Sequence, residues 1–273
     1  MLEFYQSIFS SIDPVVFSIG SFSVRWYGLM YLVGFLTVVS LLRWRICKKE
    51  TSFEWSTILD FLVYSFLGAL AGGRIGYILF YNLNYFIKNP VEAFLPFQNT
   101  NSGFEITGFY GMSYFGAVIG LALTAYWFAK KRNLDLLRLL DFVVVAIPAG
   151  YFSGRIGNFI NGELYGRATK SIIGINFGDG ILRHPSQLYE AFFEGLVLFA
   201  ILWIMRNKFQ HKKGFLTGMY LVGYGVVRFL IEFFREPDSH IGFVLEGFTL
   251  GQVFALLFVV VGIGFTFGLF GKK

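Results

Sequence analysis

Seven apolar stretches of roughly 20 residues each limit what this chain can fold into. A helix that crosses a bilayer needs about that length, because its backbone N–H and C=O groups must all be paired within the segment. The stretches lie at residues 24–42, 57–81, 109–129, 139–161, 187–205, 215–234 and 248–270. The sequence therefore predicts an all-α membrane protein, a single polytopic domain over residues 1–273 with seven transmembrane helices.

The composition supports a membrane location. Hydrophobic residues make up 55% of the chain and charged residues 15%, whereas soluble domains carry about 25% charged residues. The net charge of +6 is consistent with attraction to anionic headgroups, so membrane lipids are expected partners. Nucleic acid is not expected to bind.

The distribution of lysine and arginine predicts the orientation, because cytoplasmic loops retain positive charge. Fourteen of the 23 positive residues lie on one side, in segments 43–49, 130–138 and 206–213 and at the C-terminus. The opposite side holds six: Arg25, Lys88, Arg167, Lys170, Arg183 and Arg235. We therefore expect the N-terminus outside, in the periplasm, and the C-terminus in the cytoplasm.

Three further arginines, Arg74, Arg155 and Arg228, lie within the predicted spans. A charge at the centre of a spanning helix costs about 2.5–3.5 kcal/mol on insertion scales, so each needs a reason. In the predicted topology all three lie in the outer-leaflet half, which favours a shared anionic ligand. Snorkelling to the interface and structural ion pairs with buried carboxylates remain the alternatives.

The neighbours of Arg155 form a polar stripe. Arg155, Asn158 and Asn161 follow one another in steps of three, so a helix presents a guanidinium and two amides along one face.

Arg228 has a similar setting. Tyr224, Arg228, Glu232 and Arg235 share a helix face, with a carboxylate between two cations, and Glu232 is expected to hold Arg228 in place.

Glycines at four-residue spacing predict close helix packing around two of these arginines. Gly68, Gly72 and Gly76 flank Arg74, and Gly150 and Gly154 precede Arg155.

Guanidinium groups in a medium of low dielectric pair strongly and selectively with phosphate. At outer-leaflet depth the abundant phosphate is a phospholipid headgroup. The residues alone therefore predict a lipid-phosphate site, and they do not specify a reaction.

Six ordered segments resemble one family. The segment GRIGNFINGELYG (154–166) is similar to the signature of the bacterial prolipoprotein diacylglyceryl transferases. The other five are RWYGLMYLVGF (25–35), GGRIGYILFYN (72–82), GMSYFGAVIG (111–120), RHPSQLYE (183–190) and YGVVRFLIEFFREPD (224–238). The resemblance covers nearly the whole chain.

The resemblance implies a transfer of diacylglyceryl from phosphatidylglycerol to the lipobox cysteine of prolipoprotein signal peptides. A thioether forms and glycerol phosphate leaves. The resemblance implies a multi-pass protein of the bacterial inner membrane with its active site facing the outer leaflet, and no metal or cofactor.

The motif match also implies roles for individual residues. Arg155 and Arg228 are the expected catalytic residues, and both are expected to bind the phosphatidylglycerol headgroup. The other expected substrate-binding residues are Asn158, Asn161, Glu163, Tyr224, Tyr27 and Arg74.

One position departs from the family pattern. Phe115 stands where the family most often has a histidine, the usual candidate for general base. His184 and Tyr114 are the remaining candidates for proton transfer. Two other functions stay open: a catalytically impaired lipid-binding relative, and an anion transporter, although a transporter would need polar groups through both leaflets.

Overall fold

The computed structural model describes residues 2–20, 22–90, 92, 97–100, 103–106, 111–236, 243–245 and 247–269. The helices of these residues are α1 Leu2–Gln6, α2 Trp26–Cys47, α3 Trp55–Tyr81, α4 Leu83–Lys88, α5 Tyr114–Lys131, α6 Leu136–Val144, α7 Ile147–Ile160, α8 Ser186–Met205, α9 Phe215–Ile231 and α10 Leu250–Thr266. A short 3-10 helix, Ile8–Ser11, follows α1. Helix occupies each of the seven predicted stretches, although residues 109, 110 and 270 lie outside the described residues.

Four two-stranded antiparallel sheets connect these helices in the described part of the chain. They pair β1 Val15–Ile19 with β2 Phe22–Arg25, β3 Phe97–Thr100 with β4 Gly103–Ile106, β5 Ile175–Asn176 with β6 Leu182–Arg183, and β7 Phe243–Leu245 with β8 Phe248–Thr249. The sequence analysis did not predict them, because strands of two to five residues are too short to show an alternating pattern. The protein is therefore mostly helical, with β hairpins in its loops.

The fourth predicted stretch is bent. Helices α6 and α7 meet at 46° across a break after Val144. Pro148 explains the break, because its ring lacks an N–H and would clash with the carbonyl of Val144 in a continuous helix. The bend is one feature that the hydropathy of the stretch did not indicate.

The helices have the character of a membrane protein. By length and composition, α2, α3 and α8 can each cross a bilayer, and the bent pair α6 and α7 would be a fourth span. Helices α9 and α10 are apolar but have 17 residues each. Only 22–33% of the most apolar window in α2, α3 and α8 is buried within the protein. Exposing this apolar surface to water would cost about 25 cal/mol per Å². In a membrane, lipid tails cover it.

The chain divides into two compact units, Met1–Thr51 with Leu140–Lys273, and Ser52–Leu139. In the second unit α3 packs on α5 through facing glycines. A Cβ added to Gly72 would lie 2.3 Å from the carbonyl oxygen of Gly116, and one added to Gly120 would lie 2.2 Å from that of Gly68. Only glycine permits this approach, so the expected close packing around Arg74 is confirmed.

In the first unit, small residues bring two helix pairs together. Helix α2 meets α7 where a Cβ on Gly34 would lie 2.6 Å from the carbonyl oxygen of Gly150, as the glycine spacing predicted. Helix α9 meets α10 in the same way at Gly218 and Gly262. Asp141 accepts hydrogen bonds from backbone N–H groups at the start of α9, which satisfies otherwise unpaired donors there. These contacts fix the helices that carry Arg155 and Arg228.

Candidate functional site

Arg155 of α7 and Arg228 of α9 meet at one carboxylate in the first unit. Oε2 of Glu190 lies 2.7 Å from Nε of Arg155, and its Oε1 lies 2.7 Å from Nη1 of Arg228. The Glu190 side chain is fully buried, whereas the arginine side chains retain 17% and 10% of their exposure. A carboxylate thus bridges the two guanidinium groups, and each arginine side chain stays partly accessible.

Each arginine has further partners on its own helix. Arg155 donates from Nε to the Tyr151 hydroxyl at 2.7 Å and from Nη1 to Oδ1 of Asn158 at 3.1 Å. The close approach of Glu190 Oε2 to Arg155 is therefore an ion pair outside hydrogen-bond geometry. The predicted stripe of Arg155 and Asn158 on one helix face is present.

The expected support of Arg228 by Glu232 is also present. Nη2 of Arg228 lies 2.9 Å from Oε2 of Glu232, and Nη1 of Arg235 lies 3.8 Å from the same oxygen. Oε1 of Glu232 accepts a hydrogen bond from the Thr249 hydroxyl at the start of α10. A carboxylate therefore lies between two cations, as the spacing indicated.

Glu190 and Glu194 are site residues that the sequence analysis did not predict. Residues Ala191–Val197 of α8 form a π-helical segment, an irregularity that often marks functional sites. Glu194 accepts a hydrogen bond from the Tyr151 hydroxyl, and its side chain is buried. Two carboxylates four residues apart inside an apolar stretch were the available signal, because buried charge in a spanning helix is costly.

The loop after α7 ties its polar residues to α8. Nδ2 of Asn158 donates to Oε1 of Glu163 at 2.7 Å, and Nε2 of Gln187 donates to the carbonyl oxygen of Glu163, also at 2.7 Å. Oδ1 of Asn161 is buried and has no hydrogen-bond partner among the described residues. The structure thus places Asn158 and Glu163 in the Arg155 network.

The two tyrosines proposed as substrate ligands lie on neighbouring helices of the same unit. The Tyr224 ring of α9 packs edge-on against the Tyr151 ring, with centroids 6.1 Å apart. The Tyr27 hydroxyl lies 3.2 Å from that of Tyr31, and the Tyr27 backbone packs beside Gly157 of α7. Both tyrosines therefore lie near the helix turns that carry the arginines.

His184 lies in the β5–β6 hairpin region. Its Nδ1 lies 3.1 Å from the Tyr189 hydroxyl, and its ring packs edge-on against Phe234. Partial burial lowers the pKa of His184 below its usual 6.5, because desolvation disfavours the charged imidazolium. The lowered pKa favours the neutral form of the imidazole near pH 7.

Arg74, Tyr114 and Phe115 belong to the second unit. Nη2 of Arg74 donates to the carbonyl oxygen of Glu92 at 2.6 Å. Tyr114 is 54% exposed and its ring meets the edge of the Phe115 ring. The contacts of Arg74 are therefore described within the second unit, and those of Arg155 and Arg228 within the first.

The described residues contain no group of three or more histidine, cysteine or acidic side chains arranged to hold a metal ion. The arginine pair is held in a network with the buried carboxylates of Glu190 and Glu232. A mostly helical fold with helices able to span a membrane and this buried arginine–carboxylate centre define an integral membrane protein.

The comparisons with known proteins identify the family. The family model for prolipoprotein diacylglyceryl transferase matches residues 14–267, and the chain belongs to that family. The resemblance seen in the sequence motifs is thereby confirmed.

Three similar proteins carry the name phosphatidylglycerol–prolipoprotein diacylglyceryl transferase. The protein of Chlorobaculum tepidum is 47% identical over 97% of this chain and 93% of its own length. Those of Campylobacter lari and Pseudoalteromonas translucida are 41% and 43% identical, over 97% and 94% of this chain and 97% and 92% of their own lengths.

Proposed function

We propose that the chain is a phosphatidylglycerol–prolipoprotein diacylglyceryl transferase of the bacterial inner membrane. It transfers diacylglyceryl from phosphatidylglycerol to the lipobox cysteine of a prolipoprotein signal peptide. The names of relatives that match nearly the full chain support the reaction. The observation that carries the site is the bridge from Arg155 to Arg228 through the buried Glu190 carboxylate.

Charge development explains why such a pair suits this reaction. The thiol sulfur attacks the glyceryl carbon, a C–S bond forms and the C–O bond to phosphate breaks. The departing oxygen keeps the bonding electrons, so the phosphate gains a negative charge. Arg155 and Arg228 stabilise that charge most effectively because they are already positioned and little solvent surrounds them.

The lipid phosphate takes the place that the Glu190 carboxylate holds between the two guanidinium groups, or joins it where the arginine side chains stay accessible. Asn158, Asn161 and Glu163 shape the headgroup pocket, and Tyr27 and Tyr224 line its approach. We retain Arg74 as a substrate-binding residue.

The thiol proton needs an acceptor. We propose His184 first, since burial lowers its pKa and the neutral ring at pH 7 can take a proton. Tyr114 is the second candidate, with a hydroxyl of reference pKa near 10.

The proposed topology has seven spans in a single polytopic domain, with the N-terminus outside and the active site facing the outer leaflet. The positive charges of segments 43–49, 130–138 and 206–213 support this orientation. The partners are phosphatidylglycerol, the lipobox peptide and the surrounding membrane lipids, with no nucleic acid.

The direct test incubates purified protein with phosphatidylglycerol and a lipobox peptide and detects the thioether-linked diacylglyceryl product by mass spectrometry. Arg155→Ala and Arg228→Ala are expected to abolish transfer while the protein stays in the membrane. Arg155→Lys and Arg228→Lys are expected to rescue poorly, because lysine keeps the charge and loses the two-pronged hydrogen bonding. Wild-type turnover in an alanine variant would remove that arginine from the mechanism.

The alternative of an impaired lipid-binding relative rests on Phe115. The same assay separates the two, because such a relative would retain phosphatidylglycerol and form no product.

A further inference from the structure

Five buried side-chain oxygens near the arginine pair have no hydrogen-bond partner among the described residues. Oε2 of Glu190 and Oε2 of Glu232 are in ion pairs with the arginines, and the other three are in no ion pair among the described residues. These three are Oδ1 of Asn161, Oε1 of Gln187 and Oε1 of Glu194. A buried polar atom without a partner destabilises the folded state, so a site that keeps three of them needs an explanation. All three are acceptors. A ligand that pairs with them would therefore supply hydrogen-bond donors.

Gln187 is the most constrained of the three. Its side chain is fully buried in the first turn of α8. Nε2 donates to the carbonyl oxygen of Glu163 at 2.7 Å. This bond fixes the amide, since only the nitrogen can donate, and leaves the oxygen as the atom without a partner.

Gln187 is connected to the arginines in two ways. Along α8 it precedes Glu190 by three residues, which places both side chains on one helix face. Across the loop, Glu163 receives hydrogen bonds from both Gln187 and Asn158, and Asn158 accepts one from Arg155. The unpaired oxygen therefore belongs to the same polar network as the proposed phosphate site.

We propose that Oε1 of Gln187 and Oδ1 of Asn161 accept hydrogen bonds from the two hydroxyls of the glycerol headgroup, and so select a phospholipid whose headgroup is a polyol. This inference rests on the proposed function and names its headgroup determinant. Glycerol places two hydroxyl donors beside the phosphate that Arg155 and Arg228 bind.

The test compares two lipids with the same diacylglyceryl and phosphate groups, phosphatidylglycerol and phosphatidylpropanol, whose headgroup lacks both hydroxyls. The full-length enzyme transfers from each to a lipobox peptide, and the measured quantity is the ratio of the two kcat/KM values. We expect the wild type to favour phosphatidylglycerol by at least about tenfold, the typical effect of one lost hydrogen bond in a polar site.

Gln187→Met and Asn161→Leu remove one acceptor each at similar volume. Each is expected to lower the ratio about tenfold, by lowering turnover of phosphatidylglycerol alone. Loss of structural bonds, such as that from Gln187 to Glu163, would lower turnover of both lipids and cancel in the ratio. Ser186→Ala is the matched control. Ser186 is also fully buried, but its hydroxyl already donates to the carbonyl oxygen of Leu164 at 2.9 Å, so the ratio should not change.

Equal use of the two lipids by the wild type, or an unchanged ratio in both acceptor variants, would overturn the headgroup assignment and leave the transferase function standing. If the wild type transfers from neither lipid, the proposed function fails instead. In that case the headgroup selectivity is measured by native mass spectrometry. The measured quantity is the ratio of the affinities for phosphatidylglycerol and phosphatidylpropanol, in the wild type and in each variant. Equal affinities in the wild type would overturn the inference.

Discussion

The Glu190 carboxylate determines how Arg155 and Arg228 are presented. Two guanidinium groups in a low-dielectric region repel each other, and a carboxylate 2.7 Å from both offsets that repulsion. The arginines are then already spaced when a phosphate arrives, so little reorganisation is needed during the reaction. Ion pairs with buried carboxylates were also expected if these arginines were only structural. The structure contains such pairs, so the ligand-binding role of the arginines stays a proposal, supported by the unpaired oxygens of Gln187 and Asn161.

Replacing Glu190 by glutamine tests this positioning role. Glu190→Gln keeps the shape and removes the charge, and breaking a buried ion pair of this kind costs about 3–5 kcal/mol. We expect lower thermal stability in detergent and a raised KM for phosphatidylglycerol. Unchanged stability and KM would show that the arginines hold their geometry without the carboxylate. Glu3→Gln, at an exposed residue of α1, is the control.

Phe115 gives a second prediction for a single residue. If the arginines supply most of the transition-state stabilisation, a general base contributes a smaller factor, typically 10²–10⁴. The natural protein should then be active, with a rate that climbs from about pH 7 to 9 as the substrate thiol ionises near its pKa of about 8.5. Phe115→His should raise the rate near neutrality and flatten the climb.

The pH–rate profiles of the two proteins on one lipobox peptide decide this prediction. If the natural protein is inactive at every pH and only Phe115→His transfers the lipid group, the result favours the impaired lipid-binding relative. Identical profiles would show that position 115 carries no proton, and His184→Gln then becomes the informative variant.

Among the elements, α3 and α5 show how the apolar helices associate. Lipid tails are as apolar as the helices, so association depends on close packing rather than on escape from water. The facing glycines of the two helices provide that packing. In α8 the π-helical segment Ala191–Val197 has a different effect, because it changes the side-chain register just after Glu190.

Gly120→Ala tests the glycine contact. In an unpacked helix, alanine is more favourable than glycine by about 1 kcal/mol. Here a Cβ would lie 2.2 Å from the carbonyl oxygen of Gly68, so α3 and α5 must separate. We expect a loss of about 1–3 kcal/mol, as in other overpacked sites, seen as a lower melting temperature in detergent.

Gly28→Ala in α2 is the matched control, because nothing lies within 4 Å of its added Cβ. It should be neutral or stabilising. A similar loss in both variants would mean that the glycine contact is not the cause.

At the scale of the whole molecule, charge sets the orientation in the membrane. The 14-to-6 division of lysine and arginine between the two sides predicts a cytoplasmic C-terminus. The predicted orientation would put the arginine pair near the outer leaflet, where a lipobox peptide emerging from export could reach it.

Reporter fusions measure that orientation. A reporter after Lys273 should read as cytoplasmic, and one inserted near Gln98 should read as external. The opposite reading at either position would move the proposed active site to the inner leaflet.

The amino-acid sequence by itself determined the helical segments, the membrane character and the family. These depend on local properties: runs of apolar residues, the distribution of charge and the order of short motifs. The same local spacing indicated that Asn158 would share a helix face with Arg155 and that Glu232 would hold Arg228 in place, since residues three or four apart lie on one face of a helix.

Only the tertiary structure decided which distant residues meet. Glu190 follows Arg155 by 35 positions and precedes Arg228 by 38, and no periodicity relates residues on different helices. The π-helical segment around Glu194 also became visible only in the structure. The unpaired oxygens of Gln187 and Asn161 became visible only there, because whether a buried atom has a hydrogen-bond partner depends on every helix around it.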